Sequence, residues 1–188
     1  MDPPSSQTPV RSFLKLLASA VVASALFIVL FVWLNPLAPL GGLEPGKPAP
    51  VIEAAGWFNG QPPSSGGLRG KVVVVDAWAT WCLPCRMQAP ELVEAYQKFR
   101  QRPVVFIGLT DEGRESLPKI REYLASTGIT WPNGYGAGDT LVNFETMALP
   151  ATWVIGPDGI ILWNHDSPGT LEQAIENALE HVDADKTP

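Results

Sequence analysis

The stretch VVVVDAWATWCLPC, residues 72–85, contains the only two cysteines of the chain, Cys82 and Cys85. Its four valines predict a strand over residues 71–78 that is buried on both faces. Apolar positions then recur at helical spacing through residues 84–99, at Met87, Leu92, Ala95, Tyr96 and Phe99, with Pro90 inside the predicted helix. A buried strand that runs into a helix places both thiols at the junction between the two elements.

Strand and helix signals alternate along the rest of the chain and define the fold class. The predicted elements are a strand at 51–58 ending in the turn Asn59-Gly60, a loop at 61–70, a second buried strand at 104–109, a helix from Ser116 to Gly128 with Pro118 in its first turn, a brief helix at 140–144, a hairpin at 151–164, and a last helix that a capping box at Thr170 and Gln173 opens. The apolar face of that last helix is Leu171, Ile175, Ala178 and Leu179. This order predicts an α/β fold in which a central mixed β-sheet is flanked by helices.

An uncharged apolar run, LLASAVVASALFIVLFVWL, occupies residues 16–34. At about 1.5 Å per residue it spans roughly 29 Å, close to the hydrocarbon thickness of a bilayer. A buried core helix would carry more polar positions than Ser19 and Ser24. A cleaved signal peptide agrees with the preceding Arg11 and Lys15, but the run is longer than a usual signal core and no small-x-small cleavage site follows it. We therefore expect one uncleaved transmembrane anchor.

Charge and composition predict how the chain is laid out around this anchor. Cations precede the run and none follows until Lys47, so the positive-inside rule places residues 1–15 in the cytoplasm and the later domain on the extracytoplasmic (periplasmic) side. The Pro- and Gly-rich residues 35–50 predict a tether, residues 51–182 the folded domain, and residues 183–188 a C-terminal tail. The net charge of -6, without any basic run, argues against nucleic-acid binding.

Several chemistries that use a C-x-x-C spacing do not fit Cys82 and Cys85. Attachment of a c-type haem requires a histidine after the second cysteine, where this chain has Arg86. With only two cysteines, structural zinc needs two further ligands at close spacing, and a cysteine hydrolase needs a histidine base. The only histidines, His165 and His181, lie far along the chain and outside any ligand pair. A structural disulfide across two residues closes too small a loop to add much stability. We expect neither a metal nor another cofactor.

Dithiol redox chemistry fits both the spacing and the position of the pair. Cys82 at a helix N-terminus gains a lowered thiol pKa from the free N–H groups and the helix dipole, while Cys85, one turn inside, is shielded and attacks second. Pro84 is compatible with the first helical turn. Two alternatives stay open, a disulfide-donating oxidase and a Cu(I)-binding metallochaperone module. Copper would recruit a neighbouring Met or His, but the helical pattern assigns Met87 to the core.

The run DAWATWCLPCRMQAP resembles the active site of thioredoxin-fold oxidoreductases, and residues 44–181 resemble the membrane-anchored TlpA/ResA-type branch of that fold. Two further pieces match this branch, the stretch LPAT at 149–152 and the turn GPDGI at 156–160. The resemblance implies that Cys82 is the nucleophile and Cys85 the resolving thiol. It also implies that Pro150, which follows Leu149, is a cis-proline facing the disulfide.

The same resemblance implies roles for residues around the pair. Asp76 matches a buried acid that accepts the proton of Cys85, although an Asp at a strand end can also face solvent. Trp81 matches an exposed ring beside the nucleophile, and Trp78 is expected in the core. Gln88 departs from the branch, because many of its members carry Glu there. The expected function is a membrane-tethered thiol–disulfide oxidoreductase that reduces protein disulfides, with apocytochrome c thiols as the usual substrate of the branch and a membrane-embedded electron donor.

Overall fold

The computed structural model describes residues 8–34, 41–62 and 64–184. It contains two compact units, Met1–Ala38 and Pro39–Pro188. Parts of the predicted cytoplasmic tail, tether and C-terminal tail, at residues 1–7, 35–40 and 185–188, lie outside the described residues.

The first unit contains one long helix, α1 (Thr8–Leu34), of 27 residues. It begins before the predicted span of 16–34. Within it, the 19 residues Phe13–Phe31 have a mean hydropathy of 2.4 and are long and apolar enough to cross a membrane. Large apolar side chains along this stretch are exposed, for example Phe27 at 68 %. By length and composition α1 is therefore a candidate membrane span.

The second unit is built around a six-stranded mixed sheet with the strand order β1-β4-β3-β2-β5-β6. Its strands are β1 (Gly56–Phe58), β2 (Val72–Ala77), β3 (Val104–Leu109), β4 (Asn133–Tyr135), β5 (Ala151–Ile155) and β6 (Ile161–Asn164). Its helices are α2 (Ser65–Leu68), α3 (Leu83–Phe99), α4 (Leu117–Thr127), α5 (Gly138–Asn143) and α6 (Leu171–Ala184). β2, β3 and β4 are parallel to one another, whereas β1, β5 and β6 each run antiparallel to a neighbour. The predicted α/β fold with a central mixed sheet is confirmed.

The side chains of β2 enter two separate hydrophobic clusters. Val72 and Val74 pack in the cluster that also holds the buried faces of α3, α4 and α6. Val73 and Val75 pack on the opposite face, with residues from α2 and α5. All six residues of β2 are buried, which explains why the strand is an unbroken valine run and shows no apolar–polar alternation.

Helix α3 begins at the cysteine pair, and its buried face differs from the predicted one. Its buried residues are Cys85, Ala89, Leu92, Ala95 and Phe99. The predicted core role of Met87 is wrong, because this side chain is 74 % exposed. At about 100° per residue, Met87 is rotated by about 200° from Cys85, onto the opposite side of the helix.

The ends of α4 and α6 agree with their sequence signals. Gly128, directly after α4, has the left-handed backbone (φ 74°) that the predicted stop requires. At the start of α6 the backbone N–H of Thr170 donates to Gln173 Oε1 at 3.1 Å, and the Gln173 N–H donates to Thr170 Oγ1 at 3.3 Å. These reciprocal bonds are the predicted capping box.

Three short elements differ from the prediction. β1 covers only Gly56–Phe58 of the predicted 51–58 strand, and Val51 is 68 % exposed. The predicted loop at 61–70 contains the single helical turn α2. β4, which no pattern predicted, pairs with both β1 and β3.

Residues 41–50, which the sequence places in the tether, belong to the second unit and are hydrogen-bonded to other parts of it. The Leu43 N–H donates to the carbonyl of Phe144 at 2.8 Å, and the indole N–H of Trp153 donates to the Leu43 carbonyl at 3.2 Å. The Gly46 N–H donates to the carbonyl of Ile161, on the outer edge of β6. This segment therefore covers one edge of the sheet.

Candidate active site

A disulfide joins Cys82 and Cys85 where β2 leads into α3, with the two Cα atoms 5.3 Å apart. Cys82 is the N-cap residue of α3, and its sulfur accepts a hydrogen bond from the Cys85 N–H at 3.1 Å. Free N–H groups and the helix dipole at this position stabilise negative charge on Cys82 once the bond is reduced. In the disulfide the two residues are buried almost equally, at 4 % and 3 % exposed, so the expected difference in shielding is not visible in this form.

Three exposed apolar side chains flank the disulfide along the chain. Trp81 is 73 % exposed, Leu83 66 % and Met87 74 %. Trp78, in contrast, is fully buried, stacks on the Tyr123 ring at 4.3 Å between centroids, and donates its indole N–H to an asparagine side chain at 2.9 Å. The two tryptophans of the motif therefore occupy the two environments that the sequence assigned to them.

Pro150 lies beside the end of β2 that leads to the cysteines. The Leu149–Pro150 peptide bond is cis, as the resemblance implied. β5 begins one residue later and pairs antiparallel with β2, with Ala151 opposite Ala77. Leu149 is half-buried and packs against both hydrophobic clusters.

Asp76 is buried in β2, at 4 % exposed, so the buried alternative for this residue is confirmed. Its cross-strand partner is Thr152, whose hydroxyl donates to Asp76 Oδ1 at 3.4 Å. Burial raises the pKa of Asp76 to about 7, against which the Thr152 hydrogen bond acts in the lowering direction. Among the ion pairs of the described residues none involves Asp76, so no cation counters the effect of burial.

Gln88 extends this contact from α3. Its side-chain Nε2 donates to Thr152 Oγ1 at 3.4 Å, while its Oε1 is buried without a hydrogen-bond partner. Gln88, Thr152 and Asp76 thus form a chain of side-chain hydrogen bonds. The sequence marked Gln88 only as a departure from the TlpA/ResA-type pattern, and Thr152 only as the end of the LPAT stretch.

Sequence reasoning missed a second contact at the site, between Thr80 and Glu112. The Glu112 carboxylate accepts hydrogen bonds from the Thr80 backbone N–H at 2.6 Å and from the Thr80 hydroxyl at 2.7 Å. No motif surrounds Glu112, and 32 residues separate it from Thr80, so only the folded sheet brings the two together.

The described residues contain no group of three or more His, Cys, Asp or Glu side chains that could hold a metal ion. Both histidines, His165 and His181, are exposed. A cavity of about 790 Å³ lies against Val73, Ile107 and Ile155. Val73 is near the start of β2, so this cavity lies towards the opposite end of the strand from the disulfide.

Comparison with known proteins gives the same class of protein as the fold and the dithiol. Thiol-disulfide oxidoreductase ResA of Bacillus thuringiensis subsp. konkukian is 25 % identical over 141 residues, which cover 74 % of this chain and 79 % of that protein. Thiol:disulfide interchange protein CycY of Rhizobium leguminosarum bv. viciae is 30 % identical over 119 residues, or 60 % of this chain and 61 % of that protein. The crystal structure of a thioredoxin-family thiol:disulfide interchange protein from Chlorobium tepidum superposes with a TM-score of 0.59 at 26 % identity, covering 71 % of this chain and 98 % of that one.

The chain is a thioredoxin-fold thiol–disulfide oxidoreductase, and the predicted resemblance to the ResA type is confirmed. More particularly, it belongs to the AhpC/TSA family, which it matches over residues 45–164.

Proposed function

We propose that this protein reduces disulfide bonds of partner proteins on the extracytoplasmic side of a membrane, with Cys82 as the nucleophile and Cys85 as the resolving thiol. One observation carries the proposal: the Cys82–Cys85 disulfide lies at the N-terminus of α3, and a buried acid, Asp76, lies in the strand that leads to it. An accessible thiolate and a nearby second thiol are what disulfide exchange requires.

The first step uses the reduced enzyme. The Cys82 thiolate attacks one sulfur of a partner disulfide, which forms a mixed disulfide and releases the other partner sulfur as a thiolate. The N-terminus of α3 stabilises the attacking thiolate. Solvent protonates the leaving thiolate, while the other partner sulfur stays bound to Cys82, so the two-electron reduction of the partner is completed only in the second step.

The second step releases the reduced partner. Asp76 takes the proton of the Cys85 thiol, directly or through one water, and the Cys85 thiolate attacks the sulfur of Cys82. The Cys82–Cys85 disulfide forms as the mixed disulfide breaks, and the second partner sulfur leaves as a thiolate. A pKa of about 7 suits Asp76 to this exchange near neutral pH, because the carboxyl can then both accept and return a proton.

The surroundings of the disulfide support a protein as the substrate. The exposed side chains of Trp81 and Leu83, the two neighbours of Cys82 in the chain, offer an apolar contact area beside the nucleophile. Such an area fits a polypeptide that covers the ring of Trp81 while its disulfide meets the nucleophile.

Membrane tethering and the electron supply form the finer part of the proposal. The apolar helix Phe13–Phe31 supports a single span, and the cations on its N-terminal side support a cytoplasmic N-terminus. A domain outside the cytoplasm needs electrons from across the membrane, and a membrane-embedded donor would supply them. Relatives named thiol-disulfide oxidoreductase ResA and thiol:disulfide interchange protein CycY support the exchange chemistry, and apocytochrome c is the substrate that the resemblance implies.

A trapping experiment tests the proposed roles. The full-length protein in detergent is reduced, freed of reductant and mixed with insulin, whose disulfides report protein-disulfide reduction. The wild type should yield insulin thiols and the internal disulfide. The variant C85S should stop at a mixed disulfide of the summed mass, and C82S should form none. Trapping by C82S instead of C85S would reverse the two roles, and no reaction by the wild type would contradict the proposal.

The exposed position of Met87, outside the core, bears on the Cu(I)-binding alternative. Its exposure does not favour copper, since a position rotated by about 200° from Cys85 directs the thioether away from that thiol. Copper titration of the reduced protein distinguishes the two functions: stoichiometric binding that is lost in M87L would favour a copper site. The disulfide-donating oxidase differs from the proposed reductase only in redox potential.

A further inference from the structure

We propose that Glu112 is a positioning residue for the nucleophile: it holds the turn Ala79–Cys82 from the side of Thr80 and so fixes how Cys82 is presented to a disulfide. This inference rests on the proposed function, because it concerns the same dithiol. Glu112 lies outside the C-x-x-C motif, and Thr80 enters the motif only as a residue between two tryptophans.

The turn Ala79–Cys82 is short, and few hydrogen bonds hold it in place among the described residues. After β2 the chain reverses through residues 79–82, and the Cys82 N–H donates to the Ala79 carbonyl at 3.1 Å. Thr80 and Trp81 are the two central residues of this turn, and Trp81 is exposed. The two hydrogen bonds from Thr80 to Glu112, at 2.6 and 2.7 Å, are the contacts that tie the centre of the turn to the rest of the sheet.

Glu112 can act as a fixed point because its own backbone is held on both sides. Its N–H donates to Thr110 Oγ1 at 3.3 Å, next to the end of β3, and its carbonyl accepts from the Gly136 N–H at 2.8 Å, next to the end of β4. The ends of three neighbouring parallel strands, β2, β3 and β4, are therefore joined through one residue: the Glu112 side chain bonds Thr80 after β2, and its backbone bonds Thr110 after β3 and Gly136 after β4. Thr110 is fully buried, which anchors this junction in the core.

The chemistry of the contact makes it directional and strong. A carboxylate accepts from two donors of the same residue, and hydrogen bonds to a charged acceptor are shorter and stronger than neutral ones. Glutamine in place of Glu112 is uncharged and presents one oxygen and one NH₂ group, so it cannot accept from the two Thr80 donors through two separate charged oxygens as the carboxylate does. Because disulfide exchange depends on the alignment of three sulfur atoms, we expect loosening of the turn to slow the attack.

The test compares variants of the full-length, reduced protein in detergent, with insulin and with glutathione disulfide as separate oxidants. The second-order rate of oxidation is measured from pH 6 to 9, and the Cys82 thiolate fraction is followed by absorbance at 240 nm. E112Q should lower the rate per thiolate on the order of ten-fold. T80V, which loses only the hydroxyl donor, should lower it by a smaller factor, and T80S should restore most of that loss.

Two controls separate positioning from general damage. E172Q removes a half-buried carboxylate on α6 that accepts from Lys98, near the end of α3 opposite to the cysteine pair, at 2.8 Å, and it should leave the rate per thiolate unchanged. The double variant T80V/E112Q should be no slower than E112Q by more than about two-fold, because both changes act on one contact.

Equal rates per thiolate in T80V and T80S, with E112Q at the wild-type rate, would overturn the inference. The inference would also be overturned if the double variant T80V/E112Q lost rate by the product of the two single-variant factors, because the two changes would then act independently. If E112Q does not fold, the T80V and T80S pair still decides. Glutathione disulfide is too small to need a protein contact surface. The oxidation rates measured with it therefore test the role of Glu112 even if the insulin experiment contradicts the proposed protein-reductase function.

Discussion

Replacing Asp76 by asparagine removes a buried carboxyl while keeping its shape and an oxygen for the Thr152 hydroxyl. Burial raises the pKa of Asp76 from 3.8 to about 7 in the folded protein. Between pH 3.8 and about 7, Asp76 is ionised in the unfolded chain but protonated in the folded protein. The free energy of unfolding therefore falls as the pH rises through this range. About three pKa units at 1.36 kcal/mol each amount to about 4 kcal/mol of destabilisation, complete above pH 8 and absent below pH 4.

We therefore expect D76N to gain up to about 4 kcal/mol over the wild type between pH 4 and pH 8. The oxidised full-length protein is used, because its disulfide-bonded cysteines do not titrate and so add no pH dependence of their own. The detergent concentration is the same for all variants. Urea unfolding is followed by the fluorescence of buried tryptophans such as Trp78 and Trp153. The control E91Q changes an exposed carboxyl on α3, and its effect should stay within about 0.5 kcal/mol. A difference between D76N and the wild type that does not change with pH would refute the reasoning.

Three further substitutions probe the same site. T152V removes the hydrogen bond that lowers the pKa of Asp76, so ¹³C NMR titration of that carboxyl should give a higher value than in the wild type, and an unchanged or lower one would contradict the assigned contact. W81A should change the unfolding free energy by no more than about 0.5 kcal/mol, because the ring is 73 % exposed, yet slow insulin reduction more than glutathione disulfide reduction; equal slowing would remove Trp81 from partner contact. In C85S the free Cys82 should react with iodoacetamide at a rate that titrates below pH 8.5, as expected at a helix N-terminus, and a midpoint above that value would contradict it.

The parts of the fold that the sequence predicts are those with a strong local signal. The valine run of β2 predicts a strand buried on both faces, and the structure has one hydrophobic cluster on each face of that strand. The capping box at Thr170 and Gln173 forms within one helical turn. The C-x-x-C spacing after a buried strand predicts a helix N-terminus at Cys82 from chain geometry alone, and the structure has the N-cap there.

The parts that the sequence does not predict depend on contacts between distant segments, except at α3, where the predicted buried face differs from the observed one. β4 has only the residues Asn-Gly-Tyr, with no apolar run, and forms because β1 and β3 offer backbone partners on both sides. The helical pattern predicts Met87 on the apolar face, but the buried series runs through Cys85 and Ala89. Residues 41–50 have the composition of a linker but gain hydrogen bonds along β6.

The candidate site divides in the same way. Both cysteines and the residues next to them are visible in the motif, and Asp76 and Pro150 follow from the resemblance. Thr152 and Glu112 reach the site only through strand pairing, at sequence separations of 76 residues from Asp76 and 32 from Thr80. A pattern confined to one short segment does not include such contacts.

The reduction potential of the Cys82–Cys85 pair tests the central claim most directly. The full-length protein is equilibrated in detergent with defined ratios of reduced and oxidised thiol buffer, and the dithiol fraction is read by alkylation and mass. A protein-disulfide reductase requires a value near that of thioredoxin, about -270 mV, or lower. A value near -120 mV would instead define a disulfide donor and contradict the proposed direction of electron flow.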